Sequence, residues 1–169
     1  MQIEVLDDRQ SGPFALEVIG TPVLCLEAQG DANLGPFTAT ARITNRGAVP
    51  AMVSYRRGVS SAFQSVAYWP EGRRDARIAF NECCGDQQSG SIMQKTLAPG
   101  EALLVSSWTR HHTAIWSDMK PALNMIPVSP PQDYVVQFTL AFGYEAGGQT
   151  LPMSESFEIL LRAVPTKAD

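Results

Sequence analysis

From Phe37 to Val53 the chain reads FTATARITNRGAVPAMV. Phe37, Ala39, Ala41 and Ile43 alternate with Thr38, Thr40, Arg42 and Thr44, a period of two that gives a strand one apolar and one polar face. Asn45-Arg46-Gly47 then supplies turn chemistry, with Gly47 free to take the positive φ of a tight reversal. After Pro50, the run from Ala51 to Tyr55 predicts a second strand. The same period returns near the C-terminus, where Val136, Phe138, Leu140 and Phe142 share one face of Tyr134 to Tyr144. Gly147-Gly148 turns the chain, and Ser154 to Val164 comes back with Phe157, Ile159 and Leu161 in register, which predicts a long hairpin inside a sheet.

Between these anchors the pattern is more broken. Gln2 to Leu6 alternates briefly and predicts a short edge strand, and Ser11-Gly12-Pro13 is a turn. Phe14 to Ala28 is apolar but interrupted at Gly20 and Pro22, as expected of a strand with a bulge or one that switches sheets. Gly30 to Pro36 reads as a polar loop and Arg56-Arg57-Gly58 as a turn. Phe63 to Trp69 predicts a strand with Phe63, Ser65, Ala67 and Trp69 on one face, ending in the turn Pro70-Glu71-Gly72. A short apolar run at Arg77 to Phe80, a polar loop at Asn81 to Gly90 and a strand at Ile92 to Leu97 follow. Ala98-Pro99-Gly100-Glu101 is a turn before the strand Ala102 to Trp108. Thr109 to Pro131 is too long for a simple connection, and its apolar content predicts a packed excursion with a helical turn at Ser117 to Asn124.

Composition fits this reading. At 169 residues, with 44% apolar and 18% charged residues, the chain has the material for one folded domain spanning 1–169 and a real core. No run approaches the length of a membrane-spanning helix, so no membrane partner is expected. The acidic start, MQIEVLDDRQ, lacks the basic and apolar regions of a secretion signal, from which a cytoplasmic location is expected, a leader already removed being the alternative. The net charge of −4 is uneven: residues 1–35 carry six acids against Arg9 alone, whereas residues 36–77 carry seven arginines against Glu71 and Asp75. Overall acidity argues against general nucleic-acid binding, which needs many cations, while a local arginine-rich face suits an acidic protein partner.

Two motifs carry a resemblance. A strand closing on Asn45-Arg46-Gly47 and the later Leu97-Ala98-Pro99-Gly100-Glu101 turn resemble the turns of the bacterial immunoglobulin-like sandwiches, including the intracellular proteinase-inhibitor type. The likeness covers about half the chain and concerns turns, so it implies a fold and carries over no functional residue. It implies an all-β, immunoglobulin-like antiparallel β-sandwich with long loop insertions and at most a short helix. There is no Cys…Trp…Cys spacing of an antibody-type domain.

The chain has no G-x-S-x-G, P-loop, H-E-x-x-H or G-x-G-x-x-G motif. Three cysteines cannot all pair within the chain, and Cys25 sits in an apolar alternation as a buried thiol. Cys83 or Cys84 with His111 or His112 is the sharpest reactive constellation, because a thiolate needs a neighbouring base. The alternative is that both pairs are solvated in loops. The same four residues suit zinc poorly, since adjacent strand residues point to opposite faces. A strained Cys83–Cys84 disulfide is a further alternative. No cofactor or metal is expected.

A surface is the more credible functional feature. Tyr68 and Trp69 stand beside Arg73 and Arg74, and Trp116 adds to a second aromatic region with Trp108 and the histidines. Trp, Tyr and Arg dominate protein interfaces, although tryptophans also fill cores, as expected for Trp108. The expectation is therefore a non-enzymatic protein-binding module, such as an inhibitor or an immunity protein that neutralises a toxin or hydrolase. The alternatives are a cysteine-dependent enzyme or redox protein using Cys83/Cys84 with His111/His112, and a self-assembling protein that pairs through its terminal hairpin.

Overall fold

The computed structural model of the chain describes residues 2–26, 34–36, 39–57, 62–79, 91–106, 125–127 and 132–165. Nearly all of it is strand. In chain order the strands are β1 (Glu4–Ser11), β2 (Phe14–Gly20), β3 (Val23–Leu26), β4 (Leu34–Pro36), β5 (Ala39–Asn45), β6 (Ala51–Arg57) and β7 (Phe63–Pro70). After a single 3-10 turn at Arg74–Ala76 come β8 (Ile78–Ala79), β9 (Ser91–Leu97), β10 (Ala102–Ser106), β11 (Met125–Pro127), β12 (Tyr134–Ala146) and β13 (Gln149–Pro165).

The strands form two main sheets. One has the order β1-β2-β5-β10. The other has seven strands along β3-β13-β12-β6-β9, with the β7–β8 pair joined to β12. β4 and β11 make a separate two-stranded ribbon, so Leu34–Pro36, expected within a loop, is strand. Most of 109–131, including Ser117 to Asn124, lies outside the described residues.

The interruption at Gly20 and Pro22 is a sheet switch. β2 pairs antiparallel with β5 in the first sheet, and two residues later β3 runs parallel to β13 in the second. With β5 beside β10, and β6, β12 and β13 side by side, this is the strand arrangement of an immunoglobulin-like sandwich. The β7–β8 pair is an addition to it. It occupies β12 from Tyr134 to Leu140, leaving only Gly143 and Tyr144 to pair with β6.

Alternation fills the space between the sheets. Phe14, Leu16, Val18, Ala41 and Ile43 of the first sheet meet Val53, Phe138, Leu140, Phe142, Phe157 and Ile159 of the second in one buried cluster. Phe14 packs edge-on against both Phe142 and Tyr144, with ring centroids 5.4 and 5.3 Å away. The hairpin β12–β13 is paired from Tyr134↔Leu161 to Ala146↔Gln149, around a turn whose two glycines both have positive φ. β13 thus begins at Gln149, earlier than the alternation alone indicated, and β1 runs on to Ser11 rather than stopping at Leu6.

The two turn motifs are one structure. Asn45, fully buried, donates from Nδ2 to the carbonyls of Val49 (2.8 Å) and Leu97 (2.9 Å). Its Oδ1 accepts from the Gly47 amide at 2.9 Å. Its backbone is equally committed: the Asn45 amide donates to the Glu101 carbonyl at 3.0 Å, and the Asn45 carbonyl accepts from Gly100 at 2.7 Å. Gly47 is not among the positive-φ glycines; a Cβ there would stand 3.1 Å from Asn45 Oδ1 and 3.4 Å from Pro13 Cβ. The expected positive φ is therefore replaced by a different need, close approach to Asn45. Glu101 closes the 98–101 turn by accepting from the Ala98 amide, and this bond, with Lys95 beside it, holds its carboxyl below the usual range.

On the outer face of the first sheet Glu17 and Arg42 are directly paired across β2 and β5. Two hydrogen bonds, at 2.6 and 2.9 Å, make the pair bidentate, and the Arg42 guanidinium lowers the Glu17 pKa.

Two predictions follow from these contacts. Replacing Asn45 by Ala leaves the buried Leu97 carbonyl, the Val49 carbonyl and the Gly47 amide without that partner, and the expected loss is about 2–4 kcal/mol in urea denaturation. Asn45→Asp destabilises at neutral pH by setting a charge against those carbonyls, and its midpoint recovers as pH falls. Glu17 has a lowered folded pKa, so its stabilisation is full above its ordinary value of 4.5 and disappears as pH falls through the lower folded value. The urea midpoints of wild type and Glu17→Gln should differ near neutrality and converge once the pH falls below the lowered folded value of Glu17. A constant difference across that range would show that the pair contributes nothing through ionisation.

Candidate functional site

In the Tyr68–Arg74 segment Tyr68 and Trp69 are buried, while Glu71 to Arg74 are exposed. β7 contains a bulge: Ser65 pairs with Phe138 and Ala67 with Gln137, so Val66 is the extra residue. The bulge reverses the alternation. Phe63 stacks on Phe138 in the core at 5.0 Å, whereas beyond Val66 it is Tyr68 that turns inward, 6.1 Å from Tyr134. Burial raises the Tyr68 pKa, with Tyr134 adding to it. Phe63, Ser65, Ala67 and Trp69 therefore do not share a face.

Trp69 lies on the outer face yet is only 3% exposed. The chain after Pro70 folds back, and the Arg74 guanidinium sits 5.1 Å above the Trp69 ring while bridging to Glu158 at 2.7 Å. Arg77 donates to Gln137 Oε1 at 2.9 Å, and Gln137 donates on to Ser156. Arg73 is bidentate to Asp75, which lowers the Asp75 pKa. The expectation of an exposed aromatic contact at Tyr68 and Trp69 is thus corrected: both are buried. Arg73 and Arg74 remain exposed but already hold carboxylates. Trp116, Cys83, Cys84, His111, His112 and Trp108 lie outside the described residues, as do the side chain of Cys25 and the loops that would join the cysteines to the histidines. Among the described residues no group of three or more His, Cys, Asp or Glu could hold a metal ion, and no helix is long and apolar enough to cross a membrane.

The arginine-rich stretch, residues 36–77, does not hold all its arginines alike. Four of its seven members have side-chain partners: Arg42 on Glu17, Arg73 on Asp75, Arg74 on Glu158 and Arg77 on Gln137. Arg56 and Arg57 have no ion pair among the described residues. Sequence reading put them in a turn, whereas they end strand β6, opposite Ile92 and Ser91 of β9. Alternation from the buried Val53 places Ser54 and Arg56 on the outer face and Tyr55 and Arg57 on the inner one.

Beside them is a groove of about 510 Å³ where β6 and β7 part from β12. Its walls include Tyr55, Arg56, Ile92, Phe142, Pro152 and Met153, and among the described residues Arg56 is the only charged one lining it. Gly143 makes the depression: a Cβ there would lie 2.7 Å from Ser54 Oγ and 2.8 Å from Thr150 Cγ2. Ile92 is 65% exposed and Met93 36%. Six of the seven residues of β9 are exposed, and β9 pairs only with β6 among the described residues. No single-residue signal marked this corner; the pairing of β9 with β6, visible only in three dimensions, brings it together.

No protein-family model matches the chain, and no curated protein does. Among solved structures it is similar to AggA, the major subunit of aggregative adherence fimbriae type I from Escherichia coli. The identity is 11% and the TM-score 0.39, over 90% of this chain and 95% of that one. A likeness this loose assigns neither a family nor a function.

Proposed function

We propose that this protein is a non-enzymatic binding module that engages another polypeptide along the β9 edge of its seven-stranded sheet. The supporting observation is the contrast between β9 and the other edges. A strand edge presents unpaired amides and carbonyls, and proteins protect such edges with charge, proline, bulges or brevity. β1 has a bulge between Val5 and Asp7 and carries Asp7, Asp8 and Arg9. β13, the expected route to self-assembly, carries Pro152 and Glu158, and Arg9 of β1 lies 3.8 Å from Glu155 and over the Phe157 ring. β10 is only five residues long. β9 has no proline and one charge, Lys95, already bridged to Glu101 at 3.1 Å. Such an edge suits a partner that adds a strand. An inhibitor or immunity role is the narrower form of this reading and rests on chain size and the sandwich resemblance.

A second reading moves self-assembly from β13 to β9, since a copy of β9 would meet no charge barrier beyond Lys95. One experiment covers both. A photo-crosslinker at Gln94, compared with one at Asp8 on β1, should give a discrete adduct in lysate of the source cells. That adduct should vanish when Ile92 and Met93 become lysine, in a variant whose urea midpoint is unchanged because both residues are exposed. An adduct of twice the chain mass selects self-association. Identical adducts from both positions, or none from Gln94, would overturn the β9 edge. The Arg73→Glu/Arg74→Glu variant run alongside should keep the Gln94 adduct.

A further inference from the structure

Resting on the β9 reading, the geometry points to the chemistry of the occupant: an extended acidic segment, with carboxylates at two consecutive residues, added alongside β9 at its Ser91 end. Arg56 and Arg57 are exposed, adjacent and without an ion pair among the described residues, in a stretch where four of the other five arginines already hold a partner. As consecutive residues of one strand they lie on opposite faces of the sheet. Arg56 stands across from Ile92 on the groove side, and Arg57 across from Ser91 on the other. Strands are about 4.8 Å apart, so a guanidinium reaching past the short Ser91 arrives at the next strand position. A strand added to β9 also sends consecutive side chains to opposite faces. Two successive carboxylates would therefore each meet one arginine, a match that a single charge or an i, i+2 pair would not make.

The surroundings favour this over a basic or neutral segment. Among the described residues no acidic side chain lines the groove, and its remaining walls, among them Ile92, Phe142, Pro152 and Met153, would accept an apolar side chain next to the carboxylate. The one other charge on β9, Lys95, is positive and held by Glu101. The chain as a whole is acidic, with a net charge of −4, so this corner is a local exception able to steer an acidic segment to one place.

The test uses two labelled synthetic peptides of valine and threonine, one with a central Glu-Glu pair and one with Lys-Lys. Fluorescence anisotropy and amide exchange of β9 are the readouts. The Glu-Glu peptide should bind at least about tenfold more tightly than the Lys-Lys peptide, weaken with rising salt and slow exchange from Ile92 to Thr96. Arg56→Glu/Arg57→Glu should reverse the preference, and Arg56→Gln/Arg57→Gln should abolish it, with wild-type urea midpoints confirming that both variants fold. Equal affinity for the two peptides, or a preference unchanged in both variants, would overturn the acidic occupant. In that case, β9 protection by either peptide would leave the edge reading standing. Absence of β9 protection by both would overturn the edge as well.

Discussion

Asn45 is where the two sheets are tied together. Its carboxamide reaches Leu97 at the end of β9 in one sheet, and its own backbone sits at the end of β5 in the other. Through Gly100 and Glu101 it also fixes the turn that starts β10, and the neighbouring Arg46 amide binds the Pro13 carbonyl in the β1–β2 turn. Both Nδ2 hydrogens, Oδ1, the backbone N–H and the backbone carbonyl each have a named partner. Burying an amide is tolerable only on those terms, because an unmatched polar group in the core costs about what a good hydrogen bond contributes. The sandwich has a fixed relation between its sheets at this end because no small slip would keep all five bonds.

The opposite margin is held more loosely. There β1 and β13 approach without pairing as strands, and Arg9 spans the gap between Asp7, Glu155 and the Phe157 ring. Ser11 adds a hydrogen bond to Glu155 at 2.8 Å. Arg9 Nε has no hydrogen-bond partner among the described residues, so this clasp is less completely satisfied than the Asn45 corner. Its value is partly exclusion: it covers part of the β13 edge that would otherwise be open to another strand.

The sequence showed the architecture wherever one face of a strand is buried and the other wet. Ala39 to Ile43 and Tyr134 to Phe142 alternate in the structure as they do in the text of the chain, because each strand borders the core on one side only. The turn motifs were legible as turns, but that Asn45 joins them to each other was not, since the link spans fifty-two residues. Alternation misled at β7, where one inserted residue, Val66, exchanges the faces. It misled again over Trp69, which faces outward and is buried by a turn folding back over it. Local turn chemistry also suggested that the chain reverses at Arg56-Arg57, and cross-strand pairing with Ser91 and Ile92 overrides it. Each failure has one physical source: a contact distant in sequence decides what a local pattern leaves open.

The arginines show how such contacts reassign function. In the sequence, Arg73 and Arg74 beside an aromatic pair carry the stronger interface signal, and Arg56 and Arg57 look incidental. In the structure the first two balance Asp75 and Glu158, and a carboxylate from outside would have to displace a partner already in place. A charge that has no such partner keeps its full attraction for an incoming one, and near a strand edge it also acts beside unpaired backbone groups. Among the described residues, both conditions coincide at the end of β6. The site is set less by which residues are present than by which of them the fold has left uncommitted.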